Sequence, residues 1–410
     1  MSDPWFRLAG QRVDEGKLEA VELESGTMIY LDNNATTPLD GRVRERLIEV
    51  LDSAPANASS MQHFAGRTAH EVVEDSRRQA AAALDVAPSQ VVWTAGASEA
   101  IAMAVFGVVA AAPQGARTIL LSPTEHKAVI AAAEACVRTL GARISYLDVD
   151  ASGRVVPDSI PPLLDDTVCL LAAMHSNNET GVINPILEIA DTCRESRTRL
   201  LVDCTQSLGK VDVSAVMGIA DLCPVSAHKA YGPKGVGALV VDRDVKKSLV
   251  SMGPGGGQEF GLRGGTHNTA GIAAAALAME IAIQERGADS DKARRQVDQL
   301  WTGIRSSIPN VEIVTGEAER LPNTINMHFV GTDAEAVMAN AQELAVSTGS
   351  ACNSANPEPS HVLSAMGWER VAAEECIRVS TGRFTINEDV SRALVLLGDA
   401  VARVRRLTAA

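Results

Sequence analysis

The chain has 410 residues, 46% hydrophobic and only 3% aromatic, with a formal net charge of −14. That length calls for a large domain plus a smaller one, and the Ala-rich apolar composition excludes a disordered chain. The charge opposes binding to a phosphate backbone, and no basic stripe interleaved with aromatics offsets it, so direct nucleic-acid binding is not expected.

Residues 1–16 mix charges with a few apolar positions and lack the basic start and apolar stretch of a signal peptide. The longest apolar run, residues 100–112, is too short to span a bilayer, so a soluble, cytoplasmic protein without a membrane role is expected. Seven cysteines are scattered with no C-x-x-C pair. They suggest neither a disulfide framework nor a zinc site, no metal is expected, and most should be reduced, buried small residues.

In chain order, residues 1–27 show no clear pattern. Apolar, β-branched runs at 91–93, 118–121, 144–147, 168–171, 200–202 and 238–241 then alternate with Ala-rich helical patterns. Short continuous runs suit strands covered on both faces, which predicts a mostly parallel sheet in an α/β fold. A Gly-rich stretch at 253–265 precedes an Ala-rich helix at 270–284 and a charged segment at 285–295. Beyond it, residues 324–330 alternate like a half-buried strand and 333–340 read as a helix. The expected organisation is an N-terminal arm at 1–39 contributing to a small domain, a large domain at 40–289 and a small α+β domain at 290–410. No repeat, heptad array or low-complexity tract interrupts it.

Three segments carry candidate chemistry. After the run at 91–93 comes Thr94-Ala-Gly-Ala97-Ser98-Glu-Ala, where backbone N–H groups, a hydroxyl and a helix N-terminus suit an anionic phosphate. An ordinary Ser N-cap, which needs no ligand, is the commoner explanation for such a segment alone. The run at 200–202 ends on Asp203, at the edge where open α/β sheets bind ligands, and an acid there could keep a pyridinium nitrogen protonated. Its bland alternative is an Asp capping the next helix. Ser226-Ala-His228-Lys229-Ala-Tyr-Gly-Pro-Lys-Gly sets a Lys among small residues, as Schiff-base chemistry needs, although a solvated surface Lys is the commoner case. Lys229 follows Asp203 by 26 positions, about one helix plus one strand, so acid and amine could emerge at one sheet edge.

The order Tyr30-Leu-Asp-Asn-Asn34-Ala-Thr-Thr-Pro, Thr124-Glu-His126-Lys-Ala-Val, His175-Ser-Asn-Asn178-Glu-Thr-Gly, Asp203-x-x-Gln206-Ser, Ser226-x-His228-Lys229 and Arg263-Gly-Gly-Thr266, closed by Ser347-Thr-Gly-Ser-Ala-Cys352 and Pro357-Glu-Pro-Ser-His-Val, closely resembles the cysteine desulfurase family. The likeness runs from about residue 28 to about residue 395. It implies the fold type I, pyridoxal-phosphate (PLP) dependent transferase architecture and a homodimer. Lys229 would carry the cofactor, Asp203 would face the pyridine nitrogen, and Gln206 and Asn178 would bond the phenolic oxygen region. Ala97, Ser98, Ser226 and His228 would bind the phosphate, with Thr266 arriving from a partner subunit. His126 would stack on the ring and move protons. Arg378 would grip the substrate carboxylate with Asn34, Arg383 being its rival.

Cys352 separates a desulfurase from its PLP relatives. Its surroundings are Gly, small polar residues and two prolines, which suit a mobile exposed loop. The thiolate must reach the substrate sulfur, and at an ordinary pKa of about 8.5 it needs local activation. The inert small hydrophobe is the usual alternative for a cytosolic Cys. The implied reaction converts L-cysteine to L-alanine, with the Lys229 amine taking the α-proton and a Cys352 persulfide delivered to an acceptor protein, by default for iron-sulfur cluster assembly. Selenocysteine lyase, another PLP lyase or aminotransferase, and a sulfur-transfer scaffold for tRNA or DNA thiolation are the rivals. The chain departs from the family in having Ser98 where Thr is common, and Ala100, Ile101 and Ala102 where polar residues are often seen. His267 and His361 adjoin matched motifs without an implied metal or acid-base role. The glycines at 253–265 fit a loop reaching across a subunit boundary and not a dinucleotide fingerprint.

Overall fold

The computed structural model describes residues 22–23, 26–194, 196–348 and 359–408. Seven segments pair into the main sheet: β1 Val91–Thr94, β2 Thr118–Leu121, β3 Arg143–Tyr146, β4 Val168–Ala172, β5 Arg199–Leu201, β6 Leu222–Ser226 and β7 Gly237–Val241. Their spatial order is β1-β7-β6-β5-β4-β2-β3, parallel throughout except for β7, which runs against both neighbours. All six runs read as strands lie in this sheet. The seventh strand, β6, carries Pro224 in its middle, a residue that argues against a central strand.

Side chains alternate between the two faces of the sheet, and each face has its own core. Val91, Trp93, Leu120, Leu171, Val225 and Val240 meet the helices Phe64–Ala83 and Thr269–Gln284 on one side. Val92, Ile119, Leu121, Leu170 and Leu239 meet Ala97–Ala111 and Lys127–Leu140 on the other. Burial on both faces is why the inner strands read as continuous apolar runs, each large side chain contributing about 1.5–3 kcal/mol, whereas the edge strand β3 buries no residue fully.

A second, antiparallel sheet is formed by β8 Val311–Ile313, β9 Thr324–Phe329 and β10 Cys376–Ser380. It shares a separate core with the helices Arg286–Ser307 and Asn387–Thr408. The first of these helices begins in the segment that sequence marks only as charged. Its buried residues Ala293, Val297, Leu300 and Ile304 recur at helical spacing. The predicted helix at 333–340 is Ala334–Ala339, with the Asp333 carboxylate accepting from Ala336 N–H as its N-cap.

The segment after residue 28 is stitched to this second sheet. Ile29–Tyr30 pairs in parallel with Leu344–Ala345, and Asp32 bridges to Ser380 at the end of β10. Among the described residues, no helix is long and apolar enough to cross a membrane.

Candidate active site

The carboxyl ends of the parallel strands open into a cavity of about 690 Å3. Ala97, Ser98, His126, Asn178, Asp203, Gln206, Ser226, His228 and Lys229 line it, together with Asn34 and Arg378. Sequence reasoning therefore named residues that the fold draws together from widely separated segments. Two predicted residues are not among the lining. Thr266 is exposed in the loop before the helix Thr269–Gln284, and Cys352 lies outside the described residues, as does the loop expected around it.

Ser98 is not an N-cap. The helix Ala97–Ala111 is capped by Gly96, whose φ of 147° only glycine adopts readily and which provides no side-chain cap bond. The N–H groups at the start of this helix face the cavity wall without a capping side chain, which leaves an anion-friendly terminus. Ala100 and Ile101, the departures noted in sequence, are buried, and Ile101 lines the cavity.

The amine of Lys229 donates to the carbonyl oxygens of Asn34 and, at 2.8 Å, Ala35. Those acceptors belong to the Tyr30 to Pro38 motif, which is itself tied to the lysine loop: Thr37 N–H and hydroxyl both donate to the His228 carbonyl, at 2.9 and 3.0 Å. Asp203 is 5% exposed and accepts from Thr205 N–H at 2.9 Å. This local turn, and not a helix, is what its carboxylate caps. The Gln206 amide donates to the Asn34 carbonyl at 2.8 Å.

The two histidines are kept neutral. Burial foremost pulls the His126 ring below its ordinary value, with Asp203 opposing. Its Nδ1 accepts from Ala128 N–H at 3.1 Å, which leaves the proton on Nε2. Burial, helped by Lys229, Lys234 and Lys210, lowers His228 to about 4. Beneath the cavity Glu125 is fully buried, accepting from Met174 N–H, and burial together with Asp203 lifts it well above the carboxylate range.

Arg378 lines the cavity with one guanidinium nitrogen on Asp32 at 2.5 Å and another on the Asn178 carbonyl at 2.8 Å. Its Nε–H is buried without an acceptor among the described residues. Arg383 is engaged elsewhere, paired with Asp40 and Asp289 at 2.8 Å and stacked 4.4 Å over the Tyr231 ring. Lys210, Asp32 and Glu179 adjoin the site and were not among the sequence candidates. The only sequence signal for them was membership of, or nearness to, the quoted motifs.

The neighbouring histidines are structural. His267 bonds Glu259 at 2.8 Å, and Glu259 is held bidentately by Arg77, also at 2.8 Å. Glu259 also accepts from Trp93 N–H on the edge strand β1 at 2.7 Å, so the Gly-rich loop covers that edge. His361 donates from Nε2 to the Glu125 carbonyl at 2.8 Å. The six described cysteines are all buried. Burial raises Cys136 and Cys169 to about 11 and Cys376 to about 12, so these thiols stay protonated and inert.

The Aminotransferase class-V family matches residues 29–393. A cysteine desulfurase from Frankia sp. (strain EuIK1) is 41% identical over 391 residues, covering 93% of both chains. The cysteine desulfurase IscS of Anaeromyxobacter dehalogenans (strain 2CP-C) is 37% identical over 380 residues, covering 93% of this chain and 94% of its own. A solved NifS-like protein superposes with a TM-score of 0.84 at 31% identity, over 92% of this chain and all of its own. The α/β architecture is thus that of the fold type I PLP enzymes. With the strand-edge cavity, its lysine and its arginine in one place, the chain belongs to the class-V aminotransferase family and, within it, to the cysteine desulfurases.

Proposed function

We propose that this desulfurase takes the sulfur of free L-cysteine onto Cys352, releasing L-alanine, with pyridoxal phosphate held by Lys229. The observation that carries the reading is the cavity itself, which collects a lysine, a buried aspartate, a helix N-terminus and an arginine from segments far apart in sequence. The charged groups set in its wall suit the cofactor. In a chain of net charge −14, Lys229, Lys234 and Arg378 line one small space, as a doubly anionic phosphate and a substrate carboxylate require. Thr205 adds a buried hydroxyl lacking a partner among the described residues.

The phosphate would be held by the N–H groups at Ala97 and Ser98 with Ser226 and His228. Asp203 would face the ring nitrogen, and Gln206 and Asn178 its oxygen. When bound, the cofactor supplies an electron sink for carbanion chemistry at the amino-acid α-carbon.

The protein's own groups do the rest. Lys229, once free of the cofactor, is the base for the α-proton. The neutral His126 ring presents an Nε2–H as a proton donor, and Arg378 orients the substrate carboxylate through its remaining N–H with Asn34 beside it. Cys352 receives the sulfur: thiol and L-cysteine go to persulfide and L-alanine, with atoms balanced. The inertness of the buried thiols supports this choice.

The same proposal takes in a homodimer in which Thr266 serves the neighbouring subunit's phosphate, a cytoplasmic location, and delivery of the persulfide to an acceptor protein for iron-sulfur cluster assembly. The exposure of Thr266 supports the first. The separate cores support the division at residues 40–289 and 290–410.

The test is peptide mass spectrometry after incubation with cysteine, with borohydride fixation in parallel. A persulfide on Cys352 and a reduced cofactor adduct on Lys229 are expected. Alanine release with no modification at Cys352 overturns the sulfur assignment, and an unmodified Lys229 overturns the cofactor assignment.

A further inference from the structure

The reading above leaves one amine at the site without a task. Lys210 lies four residues beyond Gln206, and its Nζ is 2.8 Å from Gln206 Oε1 and 3.4 Å from Asn34 Oδ1. Its backbone is pinned, with its N–H on the Ser207 carbonyl at 3.0 Å and its own carbonyl receiving the Ser290 hydroxyl at 2.5 Å. Gly209 makes the turn possible. Its φ is +74°, and a Cβ there would lie 2.6 Å from Cβ of Ala282. The chain is therefore forced to turn so that the Lys210 side chain returns toward Gln206.

A glutamine amide can present either its oxygen or its NH2 to a cavity, with opposite consequences for a ligand oxygen. Here the Lys210 amine donates to the Gln206 side-chain oxygen, which turns the amide NH2 the other way. We propose that Lys210 is a positioning residue which fixes the Gln206 side chain with its oxygen outward and its NH2 toward the cofactor's oxygen. One N–H of that NH2 is on the Asn34 carbonyl, 2.8 Å away, and the other is left for the ligand. Asn34 is drawn into the same arrangement, since its side-chain oxygen receives Lys210 and Asn323, leaving its NH2 for Thr324. Holding an amine there has a cost: burial, with Lys229 and Arg378 nearby, pulls Lys210 well below the ordinary lysine range.

The inference rests on the cofactor reading and is tested through the cofactor's colour. The holoenzyme's visible absorption is titrated with pH, without cysteine, in the parent, Lys210→Met, Lys210→Arg, Gln206→Ala and the Lys210→Met/Gln206→Ala double variant. Loss of a directed donor to the bound group's oxygen favours its protonated form, so Lys210→Met is expected to raise the midpoint by about half a unit or more. The double variant should shift no further than Gln206→Ala alone, and Lys210→Arg, also a pure donor, should restore the parent midpoint. Should Lys210→Met prove insoluble, Lys210→Gln, which can offer either end of its amide, serves in its place with the same expected rise. An unchanged midpoint in the Lys210 variant, or a Lys210 shift that persists undiminished when Gln206 is gone, overturns the proposal. A parent chain that takes up no cofactor at all sinks the cofactor reading and this inference together.

Discussion

A guanidinium nitrogen of Arg378 lies 2.5 Å from a carboxylate oxygen of Asp32, joining residues 346 positions apart. The Arg378 side chain is 3% exposed and that of Asp32 19%, so the pair sits at the inner edge of the cavity where solvent weakens it little. Asp32 thereby aims a guanidinium whose Nε–H remains for a ligand.

Replacing Asp32 by Asn keeps the shape and removes the charge-assisted bond. The KM for cysteine should rise about tenfold, in line with the 1.5–3 kcal/mol such bonds carry, while kcat changes less. Steady-state kinetics over a cysteine series measures the split. A kcat loss at constant KM would place Asp32 in a different role.

Glu179 gives a pH-dependent stability. Burial lifts its carboxyl from the ordinary 4.5 to about 7, against the Ser360 hydroxyl that donates to it and the Arg378 cation. The folded chain keeps this proton to higher pH than the unfolded chain does. Stability is therefore lost as pH climbs from 4.5 to 7 and is level above that, by at most about 3 kcal/mol. The neutral isostere Glu179→Gln has no such dependence. Its Tm relative to the parent should improve between pH 5 and pH 8, and a constant difference across that range would refute the assignment.

The Arg77 and Glu259 pair is buried on both sides, with side chains 4% and 0% exposed. Removing one partner strands a charge, so Arg77→Met should cost about 3–5 kcal/mol of unfolding free energy. Denaturant titration measures it. Losing both charges together, in Arg77→Met/Glu259→Gln, should cost less than the sum of the two single changes.

Thiol chemistry should be selective. Limited alkylation of the native protein, followed by peptide mapping, is expected to label Cys352 first. Cys136, Cys169, Cys193, Cys204, Cys223 and Cys376 should react only after unfolding, because all are buried. Early labelling of any of them would show that the packing around that thiol opens in solution.

How much of this was legible in sequence depended on the kind of signal. Strands β1, β2 and β4 announce themselves because burial on two faces selects unbroken apolar runs. Strand β6 hides behind Pro224, tolerated where the neighbouring chain needs only its carbonyl, which accepts from Cys204 N–H at 3.2 Å. The helix Arg286–Ser307 hides behind charges on its outer face. Lys229 and Asp203 could be paired by spacing, and the motif order placed His126, Asn178 and Gln206. Lys210, Asp32 and Glu179 escaped because their importance lies in which atom they hold, and distances across the fold are not written in local composition. That Arg383 pairs with Asp40 and Asp289 while Arg378 lines the cavity is likewise a matter of packing and not of local sequence.

The stitching of residues 29–34 to Leu344–Ala345 and Ser380 sets a limit on trimming. Shortening the chain past Ala35 would strip away one strand of a pairing, the Asp32 anion on Arg378 and both carbonyl acceptors of the Lys229 amine in a single cut. The minimal functional unit therefore starts no later than that strand, and a truncation series should lose colour and turnover together as it crosses residues 29–35.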